Sequence, residues 1–190
     1  MIDNSQNFTE NTNTRRIFKT AKTAENTIKE LVTLILMSEA SDPGDEVYFV
    51  SPWISNVPLF DNRNGSFDSL NPDWGHRLIR LVDVTSHLIK IGCAVQIVTR
   101  SDEHNSYFLS QLKEIIEDQG LIHSLHILIR DPLHTKGILT KHGVLIGSMN
   151  LTYNGFTELD EVVTYDKAEQ EIAQARLAFS DYKKEPLHGK

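Results

Sequence analysis

The chain has 190 residues, of which 39% are apolar, and a formal charge of −7 at pH 7, which together predict one globular domain. Its single cysteine, Cys93, excludes an internal disulfide and a cysteine-rich zinc site. The acidic balance disfavours a protein that coats nucleic acid, since such proteins are usually basic, but it allows an enzyme with a locally positive cleft.

The N-terminal segment is polar and rich in Asn and Thr, so we expect residues 1–14 to form a disordered tail before a single domain at 15–190. It lacks the apolar run of a secretion signal, and no later stretch reaches the ~20 apolar residues of a membrane helix, which predicts a cytoplasmic protein. A basic run follows the tail: Arg15, Arg16, Lys19 and Lys22. We expect Arg15, Lys19 and Lys22 to share a helical face, either as solvated charges or as contacts to a phosphate backbone.

Helix and strand patterns alternate along the rest of the chain. The predicted helices cover residues 23–40, 74–91, 105–119 and 168–182, and the stretch 56–73 is interpreted as a long loop. The predicted strands cover residues 46–51, 93–100, 124–130, 134–140, 144–150 and 160–166. This order predicts an α/β fold with a mixed, mostly parallel sheet flanked by helices, and an antiparallel hairpin late in the chain.

Two of the predicted strands end in stretches that carry polar and aromatic residues, "SPWIS" (51–55) and "TRSDEH" (99–104). Ligands of α/β sheets lie beyond the carboxyl ends of the strands. We therefore expect Ser51, Trp53 and Arg100 to bind substrate. Trp53 has two interpretations, stacking on a nucleobase or burial in the core.

The stretch "HTKGILTKHGVLIGSMN" (134–150) predicts a hairpin with the three-residue loop Lys141–Gly143, in which Gly143 suits the left-handed closing position. Paired residue numbers then sum to about 284, so His134 faces Asn150 and Lys136 faces Ser148. The four polar side chains converge on one face. The other face carries Thr135, Leu139, Leu145 and Met149. A loop of another length would shift the register and abolish this convergence.

The polar set on this hairpin suits phosphoryl chemistry. Lysine and amide donors stabilise charge on phosphoryl oxygens, and a neutral imidazole can attack phosphorus. A carboxylate usually orients such an imidazole, and three candidates lie downstream: Glu158, Asp160 and Glu161. We find no convincing set of metal ligands, because His123 and His126 would point to opposite faces of a strand.

The stretch "HTK" followed by "GSMNLTYNGF" resembles the HxK…GSxN signature of the phospholipase D superfamily, and "VYFVSPWI" and "AVQIVTR" are similar to strands of that fold. The resemblance implies a metal-independent phosphodiesterase without a cofactor. It implies that His134 is the nucleophile that forms a phosphohistidine and that Lys136, Ser148 and Asn150 bind the phosphoryl oxygens. Glu161 matches the carboxylate that orients the nucleophile in the small nucleases of the family.

The single HxK…GSxN signature resembles the small endonucleases of this family, which implies a DNA substrate and a homodimer that joins two motifs across a two-fold axis. A looser resemblance to phospholipase D-like components of bacterial DNA-modification and restriction clusters implies a role in DNA processing or antiviral defence, with possible defence-complex partners. An alternative is a phospholipase, which the absence of an amphipathic membrane-binding helix in the sequence disfavours.

Two departures from the family pattern concern the hairpin. Lys141 stands where the family often has Asp, and the segment to GSxN is one residue shorter. They leave open an inactive nucleic-acid-binding or assembly subunit.

Overall fold

The computed structural model describes residues 13–20 and 27–184. The strands are β1 (Thr14–Lys19), β2 (Glu46–Val50), β3 (Pro58–Asp61), β4 (Leu78–Arg80), β5 (Ala94–Thr99), β6 (Leu125–Ile129), β7 (Gly137–Leu139), β8 (Val144–Gly147) and β9 (Glu161–Asp166). The α-helices are α1 (Thr27–Ser41), α2 (Leu81–Lys90), α3 (Glu103–Asp118), α4 (Tyr153–Thr157) and α5 (Glu169–Ser180). None of these described helices is long and apolar enough to cross a membrane.

Seven strands form one sheet in the order β1-β9-β8-β7-β2-β5-β6. The α/β class, the mixed sheet and the antiparallel hairpin are confirmed, but the expected mostly parallel character is wrong. Only the β2-β5 and β5-β6 pairs of this sheet are parallel, because α2 and α3 provide the crossovers that parallel strands need. From β6 onwards the connections contain no long helix, so β7, β8 and β9 return antiparallel.

Both faces of the sheet are covered. Phe49 of β2 belongs to the larger core, which also contains α1, α2 and α3. Its neighbours Tyr48 and Val50 point the other way, into a smaller core closed by Phe179 of α5. The Tyr48 and Phe179 ring centroids lie 5.9 Å apart. Burial on both faces explains why β2 reads as a nearly continuous apolar run.

The predicted loop at 56–73 and helix at 74–91 are corrected. β3 lies inside the predicted loop and pairs with β4, and α2 begins only at Leu81. The Asp83 carboxylate accepts the backbone N–H of Arg80 at 2.8 Å, which satisfies a free donor at the start of a helix. Trp74 is buried before this helix, with its ring edge-on to Phe60.

The predicted helix through the basic run is also wrong over the described residues. Thr14–Lys19 form an edge strand that pairs with β9, from Thr14 opposite Asp166 to Lys19 opposite Glu161. Thr14, which we expected to be the last residue of the disordered tail, is instead the first residue of β1. Residues 1–12 of the expected tail and Lys22 of the expected helical face lie outside the described residues.

Candidate active site

The strand directions bring the expected site residues to one edge of the sheet. β2 and β5 end there, and β7, which is antiparallel to β2, begins there, with Gly137 opposite Val50. β8 ends at the same edge, where β9 begins and β1 ends. This edge, which we call the motif edge, carries Ser51, Trp53, Arg100, His134, Lys136, Ser148, Asn150 and Glu161.

The hairpin register differs from the expected one. Gly137 pairs with Ile146 and Leu139 with Val144, so paired numbers sum to 283 and the loop holds four residues, from Thr140 to Gly143. Lys136 therefore lies beside Gly147, whose N–H is 3.4 Å from the Lys136 carbonyl oxygen. His134 precedes the strand, so the expected pairing of His134 with Asn150 and of Lys136 with Ser148 is wrong. The polar groups share the motif edge because β7 begins and β8 ends there.

Contacts from distant parts of the chain fix this loop. Thr140 is fully buried, and its N–H donates to the Gly143 carbonyl at 3.0 Å. Gly143 does not adopt the expected left-handed conformation. A Cβ there would lie 2.6 Å from the Tyr165 hydroxyl, so close packing rather than backbone freedom requires glycine at this position.

The expected division of the hairpin into a polar and an apolar face is corrected as well. Ile138 and Leu145 pack into the larger core, while Leu139 and Val144 pack under α5 in the smaller one. Thr135, expected on the apolar face, is exposed. Apart from Ile146, which is 47% exposed, the residues that pair between β7 and β8 are buried, so the ends of the hairpin present its polar groups.

His134 presents an exposed side chain at the motif edge. Within the described part of the chain no hydrogen bond joins its imidazole to Glu161. Lys136 is half-buried, and its ammonium donates to the carbonyl oxygen of His134 at 2.7 Å. The lysine thus folds back over the residue that carries the candidate nucleophile.

Ser148 and Glu161 form the closest side-chain pair of the site. The Ser148 hydroxyl donates to the Glu161 carboxylate and accepts the N–H of Val162 at 3.0 Å. Glu161 is 8% exposed, whereas Glu158 and Asp160 are exposed. Of the three candidate carboxylates, Glu161 is therefore the one built into the site, and its hydrogen-bond partner is Ser148.

Lys19 is a site neighbour that the sequence reasoning missed, because a lysine in a basic run is normally solvated. Its side chain is 3% exposed, and its ammonium donates to the Gly155 carbonyl at 3.2 Å. Burial lowers the pKa of Lys19, and the carboxylate of Glu161 opposes this shift. The burial of Lys19 depends on the pairing of β1 with β9, which the local sequence around Lys19 does not indicate.

Ser51 was expected to bind substrate, but it is 1% exposed. Its hydroxyl donates to the Trp53 carbonyl at 2.6 Å and accepts the N–H of Leu151 at 3.1 Å. Both of its hydrogen bonds are therefore internal. Ser51 connects the end of β2 to the segment after Asn150 instead of facing a ligand.

Trp53 and Arg100 lie at the surface of the motif edge. Trp53 is 36% exposed, so of its two interpretations burial in the core is wrong. The Arg100 guanidinium carbon lies 5.5 Å from the centre of the indole ring, and the indole N–H donates to Asp102 at 2.9 Å. Two hydrogen bonds lower the pKa of Asp102: the larger effect comes from the backbone N–H of His104 and the smaller one from this indole N–H. The ring is thus held in place while part of it stays accessible.

Asn105, which the sequence reasoning did not single out, joins the ends of β2 and β5. It is 1% exposed; its side-chain oxygen accepts the N–H of Ile54 at 2.8 Å, and its amide donates to the Pro52 carbonyl at 3.0 Å. A buried, fully used amide of this kind fixes the surrounding loops. It thereby fixes the loop that carries Trp53.

A cleft of about 350 Å³ opens beside Trp53 and Asn150. Its walls also include Tyr153, which is 56% exposed, Ser55 and His104. The Ser55 hydroxyl lies 2.7 Å from the His104 ring nitrogen. Among the described residues the Asn150 side-chain oxygen has no hydrogen-bond partner. The cleft therefore combines an expected site residue with two accessible aromatic rings.

Two acidic residues, Glu39 and Asp42, contact Lys141, which stands where the family pattern often has Asp. The Glu39 carboxylate is fully buried and accepts the backbone N–H groups of Lys141 at 2.9 Å and Gly44 at 2.6 Å. The Lys141 ammonium is 2.7 Å from Asp42 at the surface. Lys141 thus lies in the loop at the opposite end of the hairpin from the motif edge, where Glu39 of α1 and Asp42, just after α1, are its acidic partners.

Residues 79–182, more than half of the chain, match the family model described as cardiolipin synthase, PLD-like domain. The comparison with curated proteins gave no match. Among the described residues, no group of three or more His, Cys, Asp and Glu side chains could hold a metal ion.

Solved structures share the fold. NucT from Helicobacter pylori is 12% identical with a TM-score of 0.58, over 90% of this chain and 96% of that one. A phospholipase D family member, Nuc from Salmonella typhimurium, is 13% identical with a TM-score of 0.54, over 90% and 91%. Polyphosphate kinase from Porphyromonas gingivalis is 12% identical with a TM-score of 0.59, over 93% of this chain but 27% of that one. Identities this low carry the fold and not the substrate.

Proposed function

The chain belongs to the phospholipase D-like family, and from this premise we propose that it is a metal-independent phosphodiesterase that cleaves DNA through a phosphohistidine. The observation that carries the proposal is the exposed His134 at the motif edge, with the Lys136 ammonium on its carbonyl oxygen and the Ser148–Glu161 pair at the same edge of the sheet. These groups are a nucleophile, a cation and polar donors gathered at one place, as phosphoryl transfer requires.

The proposed reaction has two steps. A neutral His134 imidazole nitrogen attacks phosphorus, the bond from phosphorus to the leaving oxygen breaks, and that oxygen takes a proton from an acid. Water then attacks phosphorus and gives a proton to the group that acted as the acid, the bond from phosphorus to the imidazole nitrogen breaks, and a phosphomonoester leaves with the imidazole restored. Lys136 and the Asn150 amide stabilise the phosphoryl oxygens.

Ser148 can join these donors only by an exchange. A serine hydroxyl has one proton, and in this structure Ser148 donates it to Glu161. Contact with a phosphoryl oxygen therefore requires that the hydroxyl turn away from the carboxylate. Glu161 then acts first on Ser148, and orientation of His134 would follow from a rearrangement on binding.

DNA as the substrate is supported by the cleft beside Asn150. Trp53 offers an accessible ring for base stacking, and Arg100 adds a cation at the same place. Local groups of this kind can act in a chain whose formal charge is −7. In the cell, the reaction would serve DNA processing or defence, with partner subunits as a source of additional affinity.

A second candidate function is cleavage of a phospholipid, which the description of the matching family model favours. Turnover of DNA and of phosphatidylglycerol vesicles by the same preparation separates the two. A third, inactive role would give no turnover on either substrate or on the generic diester bis(p-nitrophenyl) phosphate.

The test of the function compares the wild type with His134→Ala and Lys136→Ala on DNA and on the generic diester. We expect no turnover without His134, and a loss of roughly 3 kcal/mol of transition-state stabilisation without Lys136. Both variants change exposed or half-exposed side chains, so the fold should survive. Wild-type rates in His134→Ala would refute the assignment, and so would loss of activity in EDTA that magnesium restores.

We further propose a homodimer with one composite site. The chain holds one HxK that is followed by GSxN, while the reaction needs an attacking base and also an acid for the leaving oxygen. Two His134 imidazoles, one from each copy, would take these opposite roles. A mixed dimer of wild-type and His134→Ala chains should then be nearly inactive. Half of the wild-type rate would mean an independent site in each chain.

A further inference from the structure

Lys19 is a charged side chain inside the protein and outside the motif. It is 3% exposed at the end of β1, where it is the cross-strand partner of Glu161 on β9. Directly opposed residues on antiparallel strands point to the same face and lie close together. Lysine is rarely buried to this extent without an opposite charge, and Glu161 supplies one.

Lys19, Glu161 and Ser148 form a row across three neighbouring strand ends. Glu161 accepts the Ser148 hydroxyl at the end of β8. β8 and β9 approach each other closely here, because a Cβ at Gly147 would lie 2.8 Å from the Val163 Cα. The row therefore runs from a buried cation through a buried carboxylate to a motif hydroxyl.

A second contact connects Lys19 to the segment around Asn150. Its ammonium donates to the carbonyl of Gly155 in α4 at 3.2 Å. The space that a side chain would need at Gly155 is filled by the backbone oxygen of Asn150. Lys19 thus holds α4 in the position where it packs on the Asn150 backbone.

We propose that Lys19 is a positioning residue for the phosphodiesterase reaction: its ammonium holds α4 through Gly155 and places a positive charge beside the Glu161 carboxylate, so that Ser148 and the Asn150 segment keep the geometry that phosphate binding needs. This inference rests on the proposed function. When Ser148 turns to a phosphoryl oxygen, the positive charge of Lys19 still lies on the strand beside Glu161. Without Lys19 the same exchange would leave a buried, uncompensated charge, which is costly.

The charged groups around this pair are few. Glu161 faces Lys19 from β9 and Ser148 faces Glu161 from β8, while the exposed Glu158 and Asp160 act on Lys19 from the preceding loop. Burial lowers the pKa of Lys19, and these three carboxylates oppose the shift. The carboxylates therefore favour the charged form of Lys19.

The test is the pH–rate profile of Lys19→Met on bis(p-nitrophenyl) phosphate. Loss of the counter-charge should move the acidic limb to higher pH by on the order of 1 unit and lower the plateau rate. Lys19→Arg keeps the charge and should restore the limb. Lys113→Met removes an exposed cation on α3, 3.6 Å from Glu117, and serves as the control that leaves the profile as in the wild type.

Epistasis separates a role through Glu161 from general damage. In a Glu161→Gln background, Lys19→Met should cause no further shift of the limb. An unchanged limb in folded Lys19→Met, or an equal shift in both backgrounds, would overturn the proposal.

A titration by carboxyl carbon NMR gives a readout that does not depend on activity, so the inference can fail while the proposed function stands, or the reverse. In Lys19→Met the Glu161 carboxyl should protonate at higher pH. If Lys19→Met does not fold, the titration of Lys19 in Glu161→Gln measures the same coupling, because coupling acts equally on both partners. Lys19 should then lose its proton at lower pH than in the wild type, and an unchanged Lys19 titration would refute the coupling.

Discussion

Replacement of Ser51 by Ala distinguishes a residue that holds the site together from one that touches substrate. The side chain is 1% exposed and connects the Trp53 carbonyl to the N–H of Leu151. Alanine removes the hydroxyl with little change in volume. It leaves the N–H of Leu151, a residue that is 2% exposed, without its partner.

The magnitude follows from these two hydrogen bonds. A buried N–H left unsatisfied costs ~1–3 kcal/mol, and the lost hydroxyl donation adds ~1 kcal/mol. We therefore expect the free energy of unfolding to fall by about 3 kcal/mol, which for a chain of this length lowers Tm by roughly 6–12 °C. Turnover should fall as well, because Leu151 follows the candidate ligand Asn150.

Urea unfolding followed by circular dichroism measures the first effect. The control is Ser110→Ala on the exposed side of α3, which should change the unfolding free energy by less than about 0.5 kcal/mol. Wild-type stability in Ser51→Ala, together with a raised KM for DNA, would refute the internal role and return Ser51 to the substrate-binding set.

Three further expectations concern other parts of the molecule. Gly147→Ala should lower the free energy of unfolding by at least ~1–3 kcal/mol and abolish most of the turnover, because the new Cβ would lie 2.8 Å from the Val163 Cα and closer still to the Val162 oxygen. An unchanged Tm would contradict this. Burial lowers the pKa of His87 from its usual 6.5, so as the pH falls the unfolded chain takes up a proton on this residue before the folded chain does. The free energy of unfolding that is lost between about pH 7 and pH 5 should therefore be smaller in His87→Phe than in the wild type. Parallel curves of stability against pH for the two proteins would contradict a role of His87. Burial raises the pKa of the Cys93 thiol to about 11, so Ellman's reagent in mildly alkaline buffer should react only after unfolding, and rapid labelling of the folded chain would show that the site opens.

The elements of the site could be predicted from local patterns, but their register could not. The pattern of apolar residues predicted both strands of the hairpin, although each is shorter in the structure than expected, because that pattern depends on neighbours in sequence. The loop between them is set by Glu39, which binds the N–H of Lys141 from 102 residues away, and by Tyr165, which packs on Gly143. Contacts at that separation leave no trace in the hairpin's own sequence.

Lys19 and Ser51 show the same limit for side-chain roles. A lysine in a basic run and a serine after a strand are both normally solvated, so the sequence predicts exposure. Pairing of β1 with β9 buries Lys19, and the Ile54–Leu151 bridge between the ends of β2 and β8 encloses Ser51. Trp53 is the converse case: its N–H partner Asp102 lies in another loop and holds the ring at the surface.

Capture of the covalent intermediate tests the proposed chemistry most directly. Turnover of an end-labelled oligonucleotide would be stopped within milliseconds in alkaline denaturant, which preserves phosphohistidine, and the labelled peptide would be identified by mass spectrometry. We expect a phosphoryl-linked fragment on the peptide that carries His134, formed fast enough to account for turnover and absent from His134→Ala. Turnover without any adduct on His134, or with the label on another side chain, would contradict the assignment of His134 as the nucleophile.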